Sequence, residues 1–89
     1  MKGKGDLDGA LLYTLQALEI DMKVYGPDHP WVATDANNIG GILKDKGDLE
    51  SASRYTQQAL EIFQKIYGSE NPTTKTVAAN LAAIKEAMK

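Results

Sequence analysis

A gapless internal repeat runs through most of this chain and limits what it can fold into. Gly5-Asp6-Leu7 recurs as Gly47-Asp48-Leu49, an offset of 47 − 5 = 42 residues. The same offset carries Ala17-Leu18-Glu19-Ile20 onto Ala59-Leu60-Glu61-Ile62, and roughly 19 of the 42 aligned positions are identical. A fixed period of this length is typical of helical repeat arrays. The chain is therefore predicted to be a repeat protein.

The apolar periodicity and the positions of glycine and proline predict four helices. Gly26 and Gly68 can end helices in the left-handed conformation, and Pro30 and Pro72 suit the first helical position. Asp6 is the predicted N-cap of the first helix. The helices are predicted at about residues 7–25, 30–46, 49–67 and 72–88, in one domain spanning residues 1–89. With no strand signal, the expected fold is all-α, with antiparallel helical hairpins stacked helix on helix.

Two patterns predict how these helices pack. In the first helix, apolar residues recur at spacings of three and four, the period of one helical face: Ala10, Tyr13, Ala17, Ile20 and Val24. In the second helix, the Gly40-Gly41 pair costs about 1 kcal/mol per glycine in helix propensity relative to alanine. Such a cost predicts that at least one of the two glycines permits a close helix crossing.

The composition excludes several classes of function. The net charge of −2 gives no electrostatic basis for binding nucleic acid or an anionic membrane. The absence of cysteine excludes disulfides and thiolate chemistry. The basic start of the chain is followed by Asp6 and Asp8 rather than by an apolar run, which argues against a secretion signal. No apolar stretch is long enough to span a bilayer, so a cytoplasmic protein is expected.

No constellation of residues predicts catalysis. His29 is the single histidine, and it stands in a proline-flanked loop, where a turn or helix-cap role is expected. The carboxylates of Asp6, Asp28 and Asp48 stand near helix starts, where negative charge offsets the helix dipole. A metal site needs several convergent ligands. The sequence therefore predicts no enzyme, no metal site and no cofactor.

A further set of residues carries a family resemblance. In chain order these are Asn38-Ile39-Gly40, Leu43, Gly47-Asp48, Ala52, Tyr55, Ala59-Leu60-Glu61-Ile62, Tyr67-Gly68 and Asn71-Pro72. With them the chain resembles the tetratricopeptide repeats, in the longer form seen in kinesin light chains. The resemblance implies units whose first helix opens at a proline and whose second helix opens at Gly-Asp. The second and third helices would then form one complete unit, and the first and fourth helices would each lack a hairpin partner.

The resemblance also implies a surface that binds a protein or peptide partner. In this family the first helix of each unit lines a concave face, and Asn38 and Asn80 match an asparagine that contacts the ligand backbone in many members. The groove residues implied here are Thr34, Asn37, Asn38, Gly41, Lys44 and Asp45 from the second helix, and Thr76, Ala79, Asn80, Ala83 and Glu86 from the fourth. An amide both donates and accepts, which suits a peptide backbone. The alternative is that Asn38 and Asn80 bond to neighbouring helices and hold the array together. Trp31 is either a contact for a partner or part of the packing of its loop.

The two unpartnered helices suggest a second function, which is self-assembly. Both helices are more apolar than their copies. Leu11, Leu12, Leu15 and Met22 stand where the third helix has Ser53, Arg54, Gln57 and Gln64, and Ala79, Ala83 and Met88 stand where the second helix has Asn37, Gly41 and Lys46. Because burying apolar surface is favourable, the fourth helix of one chain is predicted to pair with the first helix of another in a homo-oligomer. The alternatives are a piece of a longer array and a monomer whose ends tolerate water.

Overall fold

The computed structural model describes residues 4–89, which form four α-helices. These are α1 (Lys4–Tyr25), α2 (Pro30–Lys46), α3 (Leu49–Tyr67) and α4 (Pro72–Ala87). No strand occurs in this range, so the all-α prediction is confirmed.

The start of α1 differs from the prediction. The helix begins at Lys4 rather than near Leu7, and Asp6 lies within its first turn instead of capping it. In that position the carboxylate still offsets the positive end of the helix dipole. Gly47 and Asp48, which match Gly5 and Asp6 in the repeat, form the turn between α2 and α3. Residues 1–3 of the basic start lie outside the described range.

The turns between the helices are fixed by local sequence. Glycines with φ of 88°, 92° and 86°, a region that favours this residue, stand at the ends of α1, α2 and α3: Gly26, Gly47 and Gly68. The side chains just ahead of the helix-opening prolines act as N-caps. His29 Nδ1 accepts from the backbone N–H of Trp31 at 3.0 Å, and Asn71 Oδ1 accepts from that of Thr73 at 2.8 Å. The helix-cap role expected for His29 is therefore confirmed.

Helices α2 and α3 approach each other closely at Gly40. A β-carbon at this position would collide with Thr56 Oγ1 and would lie 3.2 Å from the backbone oxygen of Ala52. A β-carbon on Gly41 would meet nothing within 4 Å. The prediction of a close crossing is confirmed for Gly40, while Gly41 faces open space.

The core is continuous through the stack, because each helix packs against its neighbour in the chain. One buried cluster joins α2, α3 and α4 through Val32, Ala33, Ala36, Ala59, Leu60, Ile62, Phe63, Val77 and Leu81. A second cluster lies nearer the α2–α3 turn and contains Ile39, Leu43, Ala52 and Ile84. Leu18 of α1 and Tyr55 of α3 pack against both clusters. Contacts of this kind, mainly between helices that are neighbours in the chain, are those of a solenoid.

Helices α1 and α3 are two copies of one repeat, but the same helical face has different surroundings in each of them. Ala52, Ala59 and Ile62 of α3 are buried among residues of α2 and α4. The matching face of α1 is largely exposed, and Tyr13 on it is 78% exposed. Helix α1 packs on its neighbours instead through three half-buried leucines, Leu11, Leu15 and Leu18. The periodic face recognised in the sequence of α1 is thus an outer surface of the described chain.

Candidate functional site

A polar groove of ≈ 530 Å³ runs between α2 and α4. Its lining is Thr14, Asn37, Asn38, Gly41, Ile42, Lys44, Asp45, Thr56, Asn80 and Ile84. The groove arises because α2 and α4 both pack on α3 and present equivalent faces beside one another. Gly41 leaves its floor open, since a β-carbon there would meet no atom within 4 Å beyond the adjacent backbone of its own helix.

The structure brings most of the predicted groove residues together. Asn37, Asn38, Gly41, Lys44 and Asp45 line the groove from α2, and Asn80 lines it from α4. Five other predicted residues are exposed but do not line it: Thr34, Thr76, Ala79, Ala83 and Glu86. The hydroxyls of Thr34 and Thr76 donate to the carbonyls of Pro30 and Pro72 in their own helices, each at 3.0 Å.

The amides of the groove are only weakly engaged with one another. Asn80 Nδ2 donates to Asn37 Oδ1 across the two helices at 3.5 Å, which is long for a hydrogen bond. The inter-helix role considered for Asn80 is therefore present, and Asn37 is its partner. Asn38 is exposed. Because a bond of this length contributes little, another donor or acceptor can replace it at small cost.

Sequence reasoning missed four of the lining residues. Thr14 of α1 and Thr56 of α3 occupy the same repeat position, and so do Ile42 and Ile84. Each pair is identical in the two copies, and that identity is the signal that could have found them. Thr56 is buried, and no partner for its Oγ1 occurs within the described residues. It forms part of the groove wall behind Gly40.

A second candidate surface is the outer face of α1, formed by Ala10, Tyr13, Ala17, Ile20 and Val24. Ile20 is 59% exposed and Val24 is 65% exposed. Of the residues predicted for self-association, Leu12 and Met22 are exposed as expected. Leu11 and Leu15 instead pack inward against the cluster that contains Ile39 and Leu43. The two inward leucines thus hold α1 to α2 within one chain.

The outer face of α4 is more polar than the sequence comparison suggested. Lys75, Ala78, Ala82 and Lys85 are exposed there, and they match Ala33, Ala36, Gly40 and Leu43, which α2 buries. The exposed residues Ala79 and Ala83 share the repeat positions of Asn37 and Gly41 and so belong to the groove side of α4. Met88 is exposed beyond the helix end. The end formed by α4 therefore combines alanines with two lysines.

An aromatic cluster lies at the α1–α2 turn. The rings of Tyr25 and His29 stack with centroids 4.4 Å apart, and Trp31 meets Tyr25 edge-on at 4.9 Å. Trp31 is nevertheless 56% exposed. Trp31 therefore packs on its loop, which is one of the two roles considered for it, and it also keeps a large accessible surface.

In the described part of the chain, no helix is long and apolar enough to cross a membrane. The same residues contain no group of three or more side chains placed to hold a metal ion.

Comparison with known proteins identifies the family. The family model for the tetratricopeptide repeat matches residues 2–65 and, in a second overlapping match, residues 35–89. A search of curated proteins finds no match. Tetratricopeptide repeats generally mediate protein–protein interaction and are a non-enzymatic type of scaffold. The matched ranges cover nearly the whole sequence, so this chain belongs to the tetratricopeptide repeat family.

Proposed function

We propose that the chain binds an extended peptide or protein segment in the groove between α2 and α4. The observation that carries this proposal is the convergence of three amide side chains, those of Asn37, Asn38 and Asn80, on one open groove. Amides can donate to and accept from a peptide backbone without selecting its side chains. The single weak bond between Asn37 and Asn80 leaves most of this capacity unused.

The charges of the groove add a preference to this recognition. Lys44 and Asp45 both line the groove and are both exposed, and no ion pair involves either of them among the described residues. A bound segment that carries one acidic and one basic side chain can pair with both. Pairs at an exposed site contribute modestly, so backbone recognition by the amides is expected to supply most of the affinity.

The test begins with peptides selected on the whole chain from a peptide-display library. Removal of two amides, in Asn38→Ala with Asn80→Ala, is expected to lower affinity by about tenfold to a hundredfold, because each lost hydrogen bond is worth about 1 kcal/mol. The matched control is Gln64→Ala, which removes an exposed amide from α3 away from the groove. Calorimetry measures both variants. Equal affinities of the double variant and the control would exclude the groove as the binding site.

Self-assembly through the outer face of α1 is a second candidate function. The observation that favours it is that the matching face of α3, which contains Ala52, Ala59 and Ile62, is buried within the chain. Helix α2 supplies part of that cover through Ala33, Ala36 and the close approach at Gly40. The occupant proposed for the outer face of α1 is a helix of the α2 type from a second copy of the chain, namely its α4.

The α4 side of such a contact has an apolar centre and charged edges. Ala78 and Ala82 would lie at its centre, with Lys75 and Lys85 at its rim, as in many protein interfaces. Ala82 stands where α2 has Gly40, and at Gly40 a β-carbon would collide with Thr56. The intermolecular pair is therefore expected to be wider than the α2–α3 pair.

Light scattering over a wide range of protein concentration tests this second function. A mass that rises with concentration, and that returns to one chain in Tyr13→Glu with Ile20→Glu, would support assembly. Both substituted side chains are exposed, so the monomer is expected to stay folded. The control Lys23→Glu makes the same change of net charge on the same helix but off the outer face. A constant monomer mass in the wild-type chain would reject self-assembly.

A further inference from the structure

The packing of α1 on α2 contains a pair of carboxyl groups where the next copy of the same interface is apolar. Asp21 of α1 and Asp35 of α2 correspond to Phe63 of α3 and Val77 of α4. Phe63 and Val77 are both buried in the cluster that joins α3 to α4. The repeat therefore uses the same two positions for hydrophobic packing in one interface and for an acidic pair in the other.

The surroundings of Asp35 are poorly suited to a charged carboxylate. Its Oδ2 is sealed from solvent and has no hydrogen-bond partner among the described residues. Burial raises the pKa of Asp35 from 3.8 to about 6, and its interaction with the neighbouring carboxyl group of Asp21 adds to the increase. Two neighbouring carboxyl groups in such a site are most stable when they share one proton.

From these observations we infer that the Asp21–Asp35 pair makes the attachment of α1 to α2 depend on pH. When the pair holds a proton, one carboxyl can donate to the other and the two helices stay packed. When both groups are ionised, two negative charges repel each other across the interface and α1 is held less firmly. The α3–α4 contact has Phe63 and Val77 at these positions, and because neither side chain ionises, it has no such dependence on pH.

The direction of the effect follows from the pKa. Asp35 binds its proton more tightly in the folded chain than in the unfolded chain, so protonation stabilises the fold. This contribution is fully present below about pH 4 and is lost as the pH rises through about 6. Asp21 is the group of α1 that faces Asp35, and no charged side chain of α3 or α4 within the described residues adds to the increase. His29 lies in the connecting loop, against Tyr25 and Trp31.

The attachment of α1 has a consequence for the groove. Thr14 of α1 forms part of the groove lining, so loosening of α1 removes one wall. Peptide binding is then expected to be stronger at mildly acidic pH than at neutral pH. This consequence rests on the proposed groove function, whereas the pH dependence of the α1–α2 contact does not.

Thermal unfolding followed by circular dichroism tests the inference on the whole chain. Between about pH 5 and about pH 7.5, the melting temperature of the wild-type chain is expected to fall by about 5 °C more than that of Asp35→Asn. The amide that this substitution introduces cannot ionise but can still donate to Asp21. The control Glu19→Gln removes an exposed carboxylate of α1 that lies outside the groove lining, and it is expected to follow the wild-type chain. If Asp35→Asn fails to fold, Asp21→Asn removes the pair from the other helix.

The single tryptophan gives a second readout that reports on α1 in particular, because Trp31 lies edge-on against Tyr25 at the end of that helix. The wild-type emission is expected to change with a midpoint near about pH 6. Any effect of His29 on the emission is common to both proteins, so it cancels in the comparison with Asp35→Asn. The inference would be overturned if the melting temperature and the emission of the wild-type chain changed with pH in the same way as those of Asp35→Asn. If peptide binding does not change with pH while the melting temperature and the emission do, only the link between the acidic pair and the groove would be overturned.

Discussion

Tyr13 and Tyr55 occupy the same position in two copies of one repeat, yet only Tyr55 is packed. Tyr13 is 78% exposed on the outer face of α1, whereas Tyr55 contacts both buried clusters. Both copies share the pattern Ala-x-x-Tyr-Thr ahead of the same Ala-Leu-Glu-Ile segment, so the two residues differ mainly in the helices around them. Position in the stack therefore decides what an identical side chain does.

This difference predicts opposite effects of one substitution. Tyr13→Glu is expected to change the free energy of unfolding by no more than about 0.5 kcal/mol, because its side chain is exposed. Tyr55→Glu is expected to cost about 2 to 4 kcal/mol, because it places an unpaired charge against the core. Urea unfolding measures both values. Similar losses for the two variants would show that the outer face of α1 is packed in solution.

The Gly40-Gly41 pair predicts a second contrast. Gly40→Ala is expected to lower the free energy of unfolding by about 1 to 3 kcal/mol, because the new methyl group collides with Thr56. Gly41→Ala is expected to raise it by up to about 1 kcal/mol, because alanine favours the helix and space is free there. Its methyl group would also narrow the groove and weaken peptide binding. A stabilising Gly40→Ala would contradict the close crossing of α2 and α3.

The N-cap of α2 can be exchanged for that of α4. His29→Asn copies the residue found at the equivalent position, Asn71, and is expected to preserve the free energy of unfolding within about 0.5 kcal/mol. His29→Ala removes the acceptor for the N–H of Trp31 and is expected to cost about 1 kcal/mol. Equal stability of the alanine and asparagine variants would show that the cap is unimportant.

The acidic pair between α1 and α2 can be replaced in the same way. Asp21→Phe with Asp35→Val installs the residues of the α3–α4 interface and is expected to raise the free energy of unfolding at neutral pH by about 2 kcal/mol. The gain combines new apolar burial with the removal of charge repulsion. As a control, Asp45→Val changes an exposed carboxylate of α2 and should have little effect. A less stable double variant would mean that the two interfaces are not equivalent in shape.

The sequence was sufficient to predict the helices, because they depend on local signals repeated at a fixed offset. Pro30 and Gly47 set the bounds of α2, and Gly68 sets the end of α3. The family resemblance, and not a local signal, implied that Asn38 and Asn80 line one groove. The packing of α1 was harder to predict, because this helix carries two apolar stripes. Its sequence alone does not tell which stripe meets a neighbour, so Leu11 and Leu15 were assigned to an outer surface although they face inward.

The acidic pair could not be found from the same signals. Asp21 and Asp35 lie on different helices, and nothing in either helix alone marks them as neighbours. Only the fold places them together. Both positions differ from their copies in the same way, since Asp21 and Asp35 are acidic whereas Phe63 and Val77 are apolar. A change shared by two positions that meet in the repeat geometry is the signal that would have revealed them.

Nuclear magnetic resonance of the isotope-labelled chain, titrated with a selected peptide, tests the groove most directly. The side-chain amide signals of Asn37, Asn38 and Asn80 and the backbone amide of Gly41 are predicted to shift together as the peptide saturates the chain. The amide signals of Gln58 and Gln64, which lie outside the groove lining, are predicted to stay in place. Shifts confined to Tyr13, Ile20 and Val24 would instead place the peptide on the outer face of α1 and contradict groove binding.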